Sequence, residues 1–110
     1  MEKIKPLLPS LREKKRYLAF EILDKKPIDI KLAKNSILDN FIQLYGEFGA
    51  ANAGLIFMED LYHENKGIIR VNNKSLDKLR GSLTTIKDIH VKSIGASGIL
   101  KKMQEFMINK

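Results

Sequence analysis

An α+β domain, with a four-stranded antiparallel sheet and helices on both of its faces, is what this sequence predicts. Three observations predict it. Short runs with a period of two alternate along the chain with longer stretches at helical spacing. The run "LIFMEDLY" carries apolar residues on both faces, as a strand covered on both sides must. The 110 residues, 44% of them hydrophobic, suffice for one modest core and therefore one domain.

The elements follow in order. "RYLAFEIL" (Arg16 to Leu23) alternates, with Leu18, Phe20 and Ile22 on one face and Tyr17, Ala19 and Glu21 on the other. "DKKPID" ends it, because Pro27 cannot continue a paired strand. From about Asp29 the spacing predicts a helix whose stripe is Ile30, Ala33, Ile37, Phe41, Leu44 and Phe48, widened by Ile42 and Tyr45. The glycine- and alanine-rich "YGEFGAANAG" reads as the turn that ends it. "LIFMEDLY" is a second strand, Leu55 and Phe57 facing one way and Ile56 and Met58 the other. "HENKG" is a hairpin connection with Gly67 in the role of a positive-φ residue, and "IIRVN" returns as the third strand. Asn72 to Ser75 offer caps for a helix carrying Leu76, Leu79, Leu83 and Ile86. "IHVKSI" is the last strand, and a last helix from about Ser97 carries Ile99, Met103, Phe106 and Met107.

Strand, helix, strand, strand, helix, strand is two split β-α-β units, the ferredoxin-like or RRM-like arrangement, with an additional C-terminal helix. The single domain over residues 1–110 divides into an N-terminal extension (1–15), a βαββαβ core (16–95) and the C-terminal helix (97–107). The terminal helix and "IKPLLPSL" are expected on the second sheet face. Leu7, Leu8, Phe57, Leu61, Tyr62, Phe106 and Met107 exceed so small a core, which puts some of them on a patch for a protein partner or a second copy.

Charge narrows the function. Twenty Lys plus Arg against 13 Asp plus Glu give a net charge of +7. Two readings stand: a polyanionic partner, nucleic acid before an acidic membrane, or a solvated basic face. The absence of cysteine excludes disulfides and thiolate metal sites. "MEKIKPLLPSLREKKRYLAF" has no uninterrupted apolar run of the signal-peptide kind, and nothing approaches a membrane span, so a cytoplasmic protein is expected. His63 and His90 do not sit at ligand spacing. Glu59, Asp60 and Glu64 read either as a cation site or as an ordinary charged hairpin end. "GEFGAANAG" follows a helix and so is no phosphate-binding fingerprint, and "DKKPID" lacks the arginine-bearing glycine cradle of acylphosphatase-type enzymes. No catalytic residue, metal or cofactor is expected of the chain itself.

RNA-recognition domains of this topology expose aromatics on the two central strands, whereas here Tyr17 has no aromatic counterpart in "GIIRVN". Binding is therefore expected at basic edges and loops. The candidates are Arg12, Lys14, Lys15 and Arg16 before and at the first strand, Arg70 and Arg80 in the middle, and Lys92 beside Lys101 and Lys102 at the end. Arg70 sits where a half-buried strand wants an apolar residue; it either meets phosphate or pairs internally with a carboxylate such as Glu21. In "IGASGILKK", Ser97 is expected to cap the last helix, Gly98 to let another backbone approach, and the helix start to favour an anion.

"LPSLREKKRYLAFEIL", "GIIRV", "LRGSLTTI" and "IGASGILKK", in this order, resemble the archaeal ribonuclease P protein component 2 family, counterpart of a small subunit of eukaryotic ribonuclease P and MRP, roughly from Leu8 to Met103. The resemblance implies the same fold. It also implies a protein subunit of the ribonucleoprotein that removes 5′ leaders from precursor tRNA, an enzyme whose active site is RNA. The implied partners are the ribonuclease P RNA and protein component 3, assembled around a homodimer or as a heterotetramer, away from membranes. Mg²⁺ is implied for the RNA-based holoenzyme, with none bound by this chain. Position by position the resemblance assigns Arg16, Arg70, Arg80, Ser97, Gly98 and the lysines that follow. The family pattern is serine-glycine-threonine at the last junction; this chain has Ile99 in the threonine's place. The competing classes are a small-molecule-binding regulatory domain of the same topology and a protein adaptor without RNA contact.

Overall fold

A computed structural model describes residues 14–108, with side chains through Glu105. Its first strand, β1 (Lys15–Ile22), lies at the centre of the sheet because both of its faces carry apolar residues. Leu18, Phe20 and Ile22 enter the main core, while Ala19 is fully buried on the opposite face. Next comes α1 (Ile30–Ala53), started by the Asp29 carboxylate, which accepts the Lys31 N–H at 3.1 Å. Then follow β2 (Ile56–Phe57), β3 (Lys66–Asn72), α2 (Leu76–Leu83), β4 (Val91–Ser97) and α3 (Leu100–Ile108). The sheet order is β2-β3-β1-β4, every neighbouring pair antiparallel, which is the predicted α+β topology.

The helices α1 and α2 cover one face. Ala33, Ile37 and Phe41 of α1 and Leu79 and Leu83 of α2 bury against Leu18, Phe20, Ile69 and Val71. Each such large side chain contributes about 1.5–3 kcal/mol relative to exposure. On the other face α3 lays Met103, 1% exposed, over Ala19 and Ile68. The predicted contribution of "IKPLLPSL" to this face, with Leu7 and Leu8, lies outside the described residues, as do the side chains of Phe106 and Met107.

Four local expectations are corrected. Helical conformation runs to Ala53, interrupted only at Gly46 (φ 77°, ψ 172°), because the alanine-rich segment after the break is itself a good helix former. The apolar stripe leaves the core after Phe41, around that break: Leu44 is 48% and Phe48 89% exposed, and burial resumes only at Ala53. The second strand is far shorter than "LIFMEDLY"; after one further bond, Met58 N–H to Ile68 C=O at 2.9 Å, the chain curls into a 3₁₀ turn at Glu59–Leu61. Phe57 is buried, and Leu61 and Tyr62 pack partly against the two clusters, so none of the three supplies the expected patch.

Third, the hairpin turns at Glu64 (φ 51°) and Asn65 (φ 64°), between the reciprocal His63 and Lys66 bonds of 2.9 Å. Gly67 stands inside β3, where an added Cβ would lie 2.6 Å from the Phe20 ring; glycine is there for close packing. Asn65 ties the hairpin to the β1–α1 loop, accepting the Ile28 N–H at 2.7 Å and donating to the Lys26 carbonyl at 2.9 Å. Tyr62 adds a hydroxyl bond of 2.8 Å to the Ile28 carbonyl. Burial pushes its phenol above the usual value, with the Asp29 carboxylate adding to the effect.

Fourth, the last strand runs past "IHVKSI" to Ser97, and α3 begins only at Leu100. The register of β4 shifts opposite Ala19 and Phe20, which pair with Gly95 and Ser93 and leave Ile94 as the bulged residue. Through that bulge Ile94 turns into the small cluster beneath α3.

Candidate nucleic-acid interface

Antiparallel pairing brings the start of β1, the end of β3 and the end of β4 to the same end of the sheet. Lys15 pairs with Asn72, Tyr17 with both Arg70 and Ser97. The start of α3 follows Ser97 directly. One end of the molecule thus gathers Lys14, Lys15, Arg16, Arg70, Ser97 and Gly98, with Lys101 and Lys102 exposed in the first turn of α3. Lys74, in the 3₁₀ turn after β3, joins them; the sequence reading missed it, although it stands four residues after Arg70. Segments 14–17, 70–75 and 95–102 contain no Asp or Glu.

The cations are held by neutral partners. Lys15 Nζ donates to Asn72 Oδ1, and Asn72 Nδ2 donates to the Asn52 carbonyl at the end of α1. Arg16 Nε donates to Asn73 Oδ1 at 2.8 Å. An amide oxygen orients a cation without cancelling its charge, as a carboxylate would. The ion pairs among the described residues lie elsewhere: Lys34–Glu59, His63–Glu64 and Arg80–Asp77. The N-terminal end of α3 adds partial positive charge of its own.

Arg70 takes neither carboxylate nor hydrogen bond at its Nε, which is buried and without a partner among the described residues. Glu21 pairs with Lys66 and Lys92, four residues further along β1 from Tyr17 and so roughly 13 Å from the Arg70 position. The internal salt bridge with Glu21 is not formed.

Ser97 does not occupy the position immediately before the helix. Its Oγ accepts the N–H of Ile99 at 3.1 Å, two residues on, and the Ile99 carbonyl accepts from Lys102 at 3.2 Å. Ser97 therefore closes a turn leading into α3, and Ile99 stands 54% exposed at its mouth. At Gly98 an added Cβ would come 3.4 Å from an Arg16 guanidinium nitrogen and 3.9 Å from the Lys15 carbonyl, ordinary contact distances, so the expected close backbone approach does not require glycine here.

Two candidates fall apart from the group. Lys92 lies at the other end of β4 from Ser97, not beside Lys101 and Lys102. Arg80 is on α2, on the opposite face, at 3.8 Å from Asp77. Arg12 lies outside the described residues. A groove of about 550 Å³ between α1 and the segment after α2, bordered by Asp39, Asn40, Lys87 and Asp88, shares nothing with the basic end. Among the described residues no group of three or more His, Asp or Glu side chains could hold a metal ion, and no helix is long and apolar enough to cross a membrane.

Topology and charge together define a basic α+β protein of the ferredoxin-like class. The family model described as Rpp14/Pop5 family matches residues 16–108, and the chain belongs to that family. Ribonuclease P protein component 2 of Methanobrevibacter smithii is 35% identical, the match covering 96% of this chain and 98% of that protein. The protein of the same name from Thermococcus gammatolerans is 32% identical over 94% of this chain and 90% of its own length. A chain in the cryo-EM structure of yeast ribonuclease MRP has the same fold, with a TM-score of 0.64 at 16% identity, over 89% of this chain and 88% of that one. The resemblance read from the sequence is upheld.

Proposed function

We propose that this chain is a non-catalytic protein subunit of ribonuclease P, binding the RNA that cuts 5′ leaders from precursor tRNA in the cytoplasm. The observation that carries this reading is the basic end, where among the described residues Lys15 and Arg16 are held by the amides of Asn72 and Asn73 and not by carboxylates. Family membership and relatives named as ribonuclease P components support it.

Mechanistically the protein is an electrostatic brace. RNA helices packed around an active site repel one another. Cations fixed on a rigid sheet end neutralise phosphates and release counterions, which lowers the Mg²⁺ the folded RNA requires. In this reading that Mg²⁺ belongs with the RNA. Protein component 3 is the proposed partner, docking on the apolar surface of α1 around Leu44 and Phe48, which the fold leaves exposed.

The test is reconstitution of precursor-tRNA cleavage with RNA, the other protein subunits, and this chain present or omitted. The chain should lower the Mg²⁺ needed for cleavage, and Lys101→Ala with Lys102→Ala should lose part of that effect. Identical Mg²⁺ dependence with and without the chain would refute the proposal.

A further inference from the structure

A single cross-strand row spans all four strands on the α3 side of the sheet: Ile56, Arg70, Tyr17 and Ser97 face one another in register. At strand spacing this row is roughly 14 Å long. One row further along, Ala19 and Ile68 are completely buried beneath Met103. Tyr17 and Arg70 are only half-buried, and Ile56 is 48% exposed. Among the described residues the cover on this row is partial: Tyr17 packs against the Met103 cluster beside Leu100 of α3, yet Tyr17, Arg70 and Ile56 all keep exposed surface beside the basic end.

The row has the chemistry of a stacking platform. Tyr17 offers an aromatic ring and Arg70, directly across from it, a planar guanidinium; both stack on nucleobases. Arg70 also has an unmet need, because its buried Nε lacks an acceptor among the described residues. A buried donor without a partner costs free energy until an acceptor arrives. Ser97, whose Oγ is engaged as an acceptor by Ile99 N–H, keeps its own hydroxyl proton to donate. Lys15 lies one row outward, where the phosphate of a stacked nucleotide would fall.

We infer that this row binds an unpaired nucleotide of RNA, its base stacked on Tyr17 and Arg70 and its phosphate drawn to Lys15. The inference rests on the RNA-binding reading above and adds to it a single-stranded contact beside the phosphate brace. An aromatic on the second central strand is not needed, because the guanidinium of Arg70 takes its place. A duplex, whose bases are already stacked, cannot use the platform.

The full-length chain is titrated with a single-stranded RNA octamer and with a blunt RNA duplex, each over a salt series. Tyr17→Leu should weaken octamer binding about 5- to 100-fold, leave the duplex within about twofold, and leave the salt slope unaltered, because no charge is removed. Tyr17→Phe should restore the octamer affinity, and Arg70→Lys should lose it at unchanged net charge. Melting temperatures of the variants separate binding from packing. Lower melting temperature with unchanged octamer affinity makes Tyr17 a packing residue and overturns the inference, as does equal loss on octamer and duplex. A wild-type chain that binds neither RNA refutes the ribonuclease P reading itself, a different result from a wild type that binds both while Tyr17→Leu is silent.

Discussion

Replacing Asn73 with aspartate puts a carboxylate where an amide now orients Arg16. The Nε–Oδ1 contact of 2.8 Å keeps its geometry, but it becomes an ion pair at an exposed site. Such a pair adds only about 0–1 kcal/mol to the free protein, so the melting temperature should hold or rise slightly. RNA binding should move the other way. One phosphate contact contributes a slope of roughly 0.7–0.9 in log K against log salt. At 0.15 M salt, losing one such contact is a factor of about 4 to 6, or roughly 1 kcal/mol. Asn73→Asp should therefore bind RNA about fivefold more weakly, with a slope shallower by nearly one. Asn73→Ala frees Arg16 but preserves its charge and should keep the slope. The assay is a salt titration of binding to ribonuclease P RNA alongside thermal melts. An unchanged affinity and slope in Asn73→Asp would mean that Arg16 does not neutralise phosphate.

Other consequences follow from packing and titration. Gly67→Ala drives a Cβ to within 2.6 Å of the Phe20 ring and should cost about 1–3 kcal/mol in denaturant unfolding. Phe48→Asp, at a position 89% exposed, should leave the melting temperature within a degree or two of wild type and abolish co-elution with component 3 in size-exclusion runs. The raised Tyr62 phenol stabilises the fold fully below its unfolded value of about 10, and that contribution is lost as pH rises through the higher folded value. Melts from pH 8 to 11 should show this alkaline decline, and Tyr62→Phe should remove it while losing about 1 kcal/mol from the bond to Ile28.

Periodicity made the main core legible: Leu18, Phe20, Ile22, Ala33, Ile37 and Phe41 stand where their spacing puts them. Spacing says nothing about how far a stripe stays buried. Leu44 and Phe48 continue the pattern of α1 on either side of its break at Gly46 yet stand exposed, while Ala53 beyond the break is buried again. Glycines were legible as punctuation but not as to kind, since a packing glycine such as Gly67 and a positive-φ one such as Gly46 look alike in sequence. Within the site, Lys14 to Arg16, Arg70 and Lys101 to Lys102 were legible as charges. That they converge while Lys92 does not depends on strand register, and the bulge at Ile94 is invisible to a period of two. Asn72 and Asn73 looked like caps; their work as neutral holders of Lys15 and Arg16 is a tertiary property.

The same bulge bears on how such a subunit survives before it meets its complex. The sheet has β4 and β2 as its two edges, and an open edge is a template on which further chains can polymerise. At one margin the ladder is only two residues long before the chain curls away at Glu59. At the other, the kink at Ile94 spoils a flat docking line, and Lys92 sets an exposed charge beside it. Lys92, left out of the basic end, stands on this edge strand instead, where an exposed charge disfavours edge-to-edge pairing with further chains.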